Sequence, residues 1–266
     1  MPYADRQPAM RVRERPGDRL TMEGERLVPT FREQGPGTSE YAAHVDRYAF
    51  AAGYSGGIVL DVACGTGYGS RYLLEAGSDL VVGVDLSAEA VRHAVAHFGG
   101  PRFVVADGQV LPFQRSVFSS VVCLETIEHV ADPEALLHEL RRVLTPGGRL
   151  ILSTPNYRGG RYLSPFHVHE FRHDELHALV AKTFRAEIRW FGQLAADEPR
   201  LSSRVLRSIV DVAIDLDRFN VRARLIPYRL RQSLLQRSLG IRNRPSRVSD
   251  WQPACLYQIA VVHTPA

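Results

Sequence analysis

Along residues 57–154 the apolar positions change spacing again and again. Ile58 to Val62, Leu80 to Val84 and Phe103 to Ala106 are short, β-branched runs suited to buried strands. Between and after them, apolar residues fall at helical spacing over 88–98, 131–144 and 173–181. Ser87 is the expected N-cap of the first of these helices, with Glu89 in its positive first turn. Upstream, Thr38 or Ser39 starts a helix to about Gly53 that carries Tyr41, Val45, Tyr48 and Ala52 on one face. A further strand is expected at 184–192. Strands alternating with helices in this way predict an α/β fold, a doubly wound parallel sheet.

Two stretches stand outside the alternation. Residues 1–37 are rich in Arg, Pro and Asp at the start and broken by Gly35-Pro36-Gly37, which reads as a flexible tail and lead-in. From 193 to 250, Val205, Ile209, Ala213, Leu216 and Phe219, then Leu225, Leu230, Leu234 and Leu235, fall at helical spacing with arginines beside them. The apolar run Cys255 to Val262 within 251–266 then restores a last strand. The pattern divides the chain into the lead-in, a core at 38–192, a helical insertion at 193–250 and the final core strand. An amphipathic pair inserted there suits a lid or acceptor-binding element, with a simple packing subdomain or homodimer surface as the alternative.

The chemistry concentrates where the first strand ends. Val59-Leu60-Asp61-Val62-Ala63-Cys64-Gly65-Thr66-Gly67-Tyr68-Gly69 joins that strand to a helix through a glycine turn, which lets a ligand approach the backbone closely. A dinucleotide fingerprint needs Gly-x-Gly-x-x-Gly, yet Ser70 takes the third glycine's place. No Gly-Lys-Ser/Thr follows either, and Lys182 is the only lysine, so a P-loop is excluded. Asp61 under the same turn repels phosphate and attracts a ligand bearing an ammonium and a sulfonium. S-adenosyl-L-methionine bears both and has no phosphate. The second strand ends at Asp85, 20 residues past Gly65, where folds of this kind bind ribose hydroxyls. The third runs into Asp107-Gly108, placed to meet an adenine amino group.

These segments resemble the class I S-adenosylmethionine-dependent methyltransferases over residues 40–192 and the last strand. Val121-Val122-Cys123-Leu124-Glu125-Thr126-Ile127-Glu128-His129-Val130 with Asp132-Pro133 is similar to the fourth-strand segment of the ubiquinone-type O-methyltransferases. Leu144-Thr145-Pro146-Gly147-Gly148-Arg149-Leu150, then Ser153-Thr154-Pro155-Asn156, is similar to their fifth-strand hairpin. The resemblance implies a Rossmann-like seven-stranded sheet with the last strand antiparallel. It implies Asp61 near the methionine amine, Asp85 on the ribose, and Asp107 with Gly108 beside the adenine. Ala63, Gly65, Gly67 and Tyr68 of the first turn, Leu86 after Asp85, and Leu124 at the end of the fourth strand complete the implied cofactor set.

His129 is the candidate general base, because it follows the fourth strand near the expected methyl position and an imidazole titrates near neutrality. Glu128 or Glu125 is expected to orient its other nitrogen. The bland alternative is that His129 only bonds backbone at the start of helix 131–144. Glu125 and Asn156 are placed with the acceptor. So are His167 and His169, on a loop resembling the Pro-Phe-His segment of sugar and small-molecule methylases. His169-Glu170-Phe171-Arg172-His173 spells the zinc-protease pattern His-Glu-x-x-His, which needs both histidines on one helix. A helix beginning near Arg172 breaks that geometry. No metal is assigned; an ion shared with Glu170 is compatible with the sequence and not demanded by it.

Composition narrows the class without changing it. The chain has 266 residues, 45% hydrophobic and 23% charged, as an ordinary globular protein does, and no apolar run long enough for a membrane helix. Cys64, Cys123 and Cys255 are an odd number in apolar settings, which reads as buried thiols in a cytoplasmic protein. A net charge of +4 and a pI near 9.1 are spread along the chain. The Asn/Asp-Pro-Pro-Tyr/Phe turn of amino-directed nucleic-acid methylases is replaced by Leu124-Glu125-Thr126, so a small-molecule acceptor is expected and nucleic acid is not. The expected function is methyl transfer to a hydroxyl of a sugar or other secondary metabolite. N-methylation of an amino sugar or other small amine, or a non-catalytic cofactor-binding partner, are the alternatives.

Overall fold

The computed structural model describes residues 39–159, 164–194 and 248–265. The lead-in over 1–37 and the two helices expected within 193–250 lie outside the described residues.

The alternation seen in the sequence folds into one sheet. In chain order the elements are α1 (Ser39–Ala52), β1 (Ile58–Val62), α2 (Tyr68–Glu75), β2 (Leu80–Asp85), α3 (Ala88–His97) and β3 (Arg102–Val105). There follow β4 (Phe118–Leu124), a 3₁₀ turn (Ile127–His129), α4 (Pro133–Val143), β5 (Leu144–Pro155), α5 (His173–Phe184), β6 (Glu187–Gln193), β7 (Val248–Asp250) and β8 (Tyr257–His263). The strands lie in the order β3-β2-β1-β4-β5-β8-β6-β7. β1 to β5 pair in parallel, and β8 is antiparallel to both β5 and β6.

Strand residues alternate faces, and each face has its own core. Leu60, Val121, Cys123, Leu150, Leu152, Ala260 and Val262 pack under the apolar faces of α4 and α5, through Leu136, Leu140, Leu176 and Val180. Val59, Val122, Ile151, Ile259 and Val261 point the other way, onto Tyr48 and Ala51 of α1 and Leu73 of α2. Both faces are therefore dry, which is why the strands read as continuous apolar runs. Ser87 caps α3 by accepting from the Ala90 N–H at 3.3 Å, and Asp132 caps α4 through Ala135 at 2.9 Å.

Three details depart from the sequence reading. The sheet has eight strands instead of seven, because Val248–Asp250 pairs antiparallel with the outer edge of β6. Three residues with one apolar side chain give no periodicity to read; only the exposed β6 edge makes them a strand. Helix α5 continues to Phe184, which is buried in the core, and β6 starts at Glu187 rather than 184. The segment 144–155 is a single strand whose register against β4 slips at Thr145-Pro146-Gly147-Gly148, where Gly147 takes φ +70°.

The order of strand connection reverses between β1 and β4. At such a switch point the loops leaving the carboxyl ends part in opposite directions and open a crevice. The candidate site lies there.

Candidate active site

The crevice encloses about 440 Å³, within the range of small-molecule sites. One end is built by the turn after β1. Gly67 caps α2 at φ +89°, and a Cβ there would come within 2.6 Å of the Ala94 Cβ and 2.9 Å of the Phe103 ring. Only glycine allows α3 and β3 to approach the turn so closely. Asp85, at the end of β2, ties that turn down: its carboxylate accepts from the Gly65 N–H at 2.9 Å and the Ser87 N–H at 2.8 Å. Asp107 accepts from the Gln109 N–H at 2.8 Å, closing the loop after β3. Ala63, Gly65, Tyr68, Asp85, Leu86, Asp107, Gly108 and Leu124 all line this end.

Asp61 and Gly67 do not line the crevice. Asp61 lies fully buried beneath the turn, accepting from Ser70 Oγ at 2.6 Å and from the Tyr48 hydroxyl at 3.3 Å. Burial lifts its carboxyl to about 7, against the pull of the Ser70 and Tyr48 bonds, with Asp85 adding repulsion. Ala63 (φ +56°) and Glu125 (φ +50°) are non-glycine residues in the left-handed region, both just past the ends of neighbouring strands. Such backbone costs on the order of 1 kcal/mol each and is concentrated at ligand sites.

The other end is polar and built from two segments. The 3₁₀ turn after β4 brings Glu128 and His129; the loop 164–172 brings Phe166 and His167. The main-chain carbonyl of Glu128 accepts from the Val168 N–H at 2.8 Å and the His169 N–H at 3.1 Å, locking the two segments together. His129 Nδ1 donates to the Phe166 carbonyl at 3.1 Å, and the His129 and His167 rings meet edge to face at 4.8 Å. His167 Nδ1 is 2.6 Å from Glu170 Oε1. Glu128 is 1% exposed; one oxygen accepts from Thr154 Oγ1 at 2.8 Å and the other, Oε1, is buried without a hydrogen-bond partner. Burial, then the neighbouring Glu125, hold the Glu128 carboxyl well above the usual carboxylate range.

Several expectations need correction. No carboxylate orients His129: its second nitrogen bonds the Phe166 carbonyl, while Glu128 turns to Thr154 and Glu125 to Ser153 Oγ at 2.6 Å. Three residues per turn send neighbouring side chains of a 3₁₀ turn about 120° apart, so residues 128 and 129 face different partners. His169 is half-exposed and outside the crevice, 2.6 Å from Glu175 and packed on Phe171. Asn156 also stays outside, its amide donating to the Cys255 carbonyl at 3.0 Å, which pins β5 to the segment before β8. As the sequence predicts, Arg172 is the residue before α5, so His169 and His173 are not on one helix and the zinc-protease pattern has no structural basis.

The sequence reading missed what α1 and β8 contribute. His44, Tyr48 and Tyr257 line the crevice. Behind them Arg47 is 1% exposed, donating to the Gln193 side-chain amide oxygen Oε1, stacked 4.2 Å over the Tyr257 ring and 3.9 Å from Glu125 Oε1. An arginine in the middle of the expected α1, one residue from Tyr48 on its apolar face, was the available signal. Desolvation, then Arg47's charge, hold the His44 imidazole well below its ordinary value. Asp85, Asp107, Glu125 and Glu128 line the crevice, and among the described lining residues there is no arginine or lysine. That balance suits a cationic ligand and is hostile to phosphate.

Comparison with known proteins decides the family. Residues 60–152 match the methyltransferase domain family. A probable S-adenosylmethionine-dependent methyltransferase of Mycobacterium tuberculosis is 30% identical over 203 residues, 73% of this chain and 72% of that protein. The chain belongs to the S-adenosylmethionine-dependent methyltransferases. A probable S-adenosylmethionine-dependent methyltransferase of Mycolicibacterium smegmatis is 32% identical over 168 residues, and the match spans 60% of this chain and 63% of that relative. The ubiquinone biosynthesis O-methyltransferase of Xanthomonas oryzae is 39% identical over 108 residues, 38% of this chain and 44% of that enzyme. Among solved structures, an S-adenosylmethionine-dependent methyltransferase of Thermotoga maritima, described as a possible histamine N-methyltransferase, shares the fold with a TM-score of 0.58. It is 17% identical, and the superposition covers 85% of this chain and 91% of that one. S-adenosylmethionine is thus the methyltransferase's cofactor, and the acid-lined, phosphate-hostile crevice fits it. Cys64, Cys123 and Cys255 are free and buried in the structure, and none of the described helices is long and apolar enough to cross a membrane.

Proposed function

We propose that this methyltransferase moves the methyl group of S-adenosylmethionine to a hydroxyl of a small molecule, a sugar or another secondary metabolite. When bound, the cofactor supplies an activated methyl on a sulfonium. Asp85 holds the ribose, Asp107 and Gly108 the adenine, and Asp61 acts on the ammonium from beneath the turn. The acceptor enters the end formed by Glu125, Thr126, Glu128, His129, His167 and Tyr257.

The observation that carries the oxygen acceptor is the setting of His129. With Nδ1 donating to the Phe166 carbonyl, Nε2 is the ring's lone-pair nitrogen, at the crevice end where the hydroxyl proton must be lost. Likeness to the ubiquinone biosynthesis O-methyltransferase over 108 residues supports the same reading. Three buried thiols suit a cytoplasmic enzyme. A small amine is the second reading, favoured by the two carboxyls, Glu125 and Glu128, which suit an ammonium-bearing acceptor.

A panel of sugars, phenols and amines with labelled S-adenosylmethionine tests the proposal. Oxygen-methylated product is expected, and His129→Ala should lower turnover by roughly 10²–10⁴-fold with cofactor affinity held. Product on amines alone, with turnover indifferent to His129, would replace the hydroxyl reading by the amine one.

A further inference from the structure

We propose that Glu128, His129 and His167 form a binding site for a borderline divalent transition ion at the acceptor end of the crevice. One donor atom from each lies within 4.8 Å of the other two. Ligands about 2.1 Å from a shared ion stand roughly 3.0–3.4 Å apart, so loading draws these side chains inward by about an ångström or more.

Their surroundings are those of ligands. His129 is oriented by the Phe166 carbonyl and His167 by the Glu170 carboxylate, each through Nδ1. Metal-binding histidines are held in that manner, with carbonyl or carboxylate on one nitrogen and the ion on the other. The His167 and Glu170 side chains are 5% and 2% exposed, so that orientation is fixed inside the protein. Glu128 adds the observation that a hydrogen-bonding role alone leaves unexplained. Its Oε1 is buried without a hydrogen-bond partner, a costly state for a carboxyl oxygen unless something else satisfies it. The donors come from two segments locked together by the Glu128 carbonyl, which takes both the Val168 and His169 N–H groups.

Two imidazoles and one carboxylate select Zn²⁺, Fe²⁺, Co²⁺ or Mn²⁺ over Mg²⁺ and Ca²⁺, which prefer all-oxygen sets. Three protein ligands leave positions open towards the crevice, the arrangement of catalytic and not structural sites. The inference rests on the hydroxyl reading only for its use. A hydroxyl oxygen that takes an open position forms its bond to the ion and loses its proton to solvent. His129 then serves the proton as a ligand of the ion, in place of a free imidazole base.

The test needs no acceptor. The full chain, stripped with chelator, is titrated with Co²⁺ and followed by its visible d–d absorption, and with Zn²⁺ by equilibrium dialysis. One equivalent is expected to bind. His167→Ala and Glu128→Gln should each weaken binding at least tenfold, Glu170→Gln about tenfold, and His169→Ala not at all. S-adenosylmethionine calorimetry on each variant checks that the fold persists, and His129→Ala provides an independent ligand deletion should one variant lose it. Binding no tighter than that of a denatured control, binding unchanged in His167→Ala, or binding lost in His169→Ala would each overturn the site. A site that binds its ion while only amines are methylated would instead overturn the hydroxyl reading and leave the ion in place.

Discussion

At the scale of the residue, Asp61 shows how burial sets chemistry. Its carboxyl is satisfied by Ser70 and Tyr48, yet desolvation outweighs both bonds and lifts it to about 7. Between pH 4 and 7 the unfolded chain therefore gives up this proton while the folded chain keeps it. The folded state binds more protons, so stability falls as pH rises through that window and levels off above it. Denaturant titrations of the native chain and Asp61→Asn from pH 4.5 to 8.5 should show the native chain losing ground by at most roughly 1.4 kcal/mol per pH unit up to about 7. A difference that grew in the opposite direction, or stayed flat, would remove Asp61 as a titrating group. With Asp61 acting on the cofactor's ammonium as proposed, the ionised form is the one that binds better, so affinity for S-adenosylmethionine should rise across the same window.

At the scale of the element, the contact between α1 and α2 carries the most geometric constraint. A Cβ at Gly69 would lie 1.9 Å from the Tyr48 ring, deep inside contact distance. Gly69 is the third glycine of the turn, and its role is packing: it lets Tyr48 lie across α2 and reach Asp61. Gly69→Ala should displace Tyr48 and cost about 1–3 kcal/mol, as overpacking of a tight core does. Urea denaturation should show a lower midpoint with the slope unchanged. A neutral substitution would mean that α1 can shift by more than an ångström without loss, against its packing on Leu73 and Tyr68.

At the scale of the molecule, the crevice joins both halves of the doubly wound sheet, since β1, β2 and β4 each supply part of its floor. A ligand bound there to the folded state alone stabilises the whole domain. At 100 times its dissociation constant, S-adenosylmethionine should add about 2.7 kcal/mol to unfolding and raise the melting temperature by several degrees. NAD, whose pyrophosphate would face Asp85 and Asp107, with no arginine or lysine among the described lining residues, should leave the melting temperature where it was. Equal shifts from the two would contradict the electrostatic reading of the crevice.

By itself the sequence determined the alternation of strands and helices and the acids at three strand ends. Those signals are short-range: a run of Val and Ile, a glycine turn, a Ser or Asp before a helix. Residues such as Asp85 and Leu124 were legible because strand ends in a parallel sheet point to one edge whatever the loops do. The tertiary structure alone decided the rest. Arg47 and Gln193 meet across 146 positions, and His129 and the Phe166 carbonyl across 37. Neither pairing leaves a periodic trace, and a main-chain carbonyl has no side-chain signature at all. The eighth strand, the turning of His169 towards Glu175, and the convergence of Glu128, His129 and His167 have the same origin: backbone hydrogen bonds between distant segments place side chains that local sequence leaves free to point elsewhere.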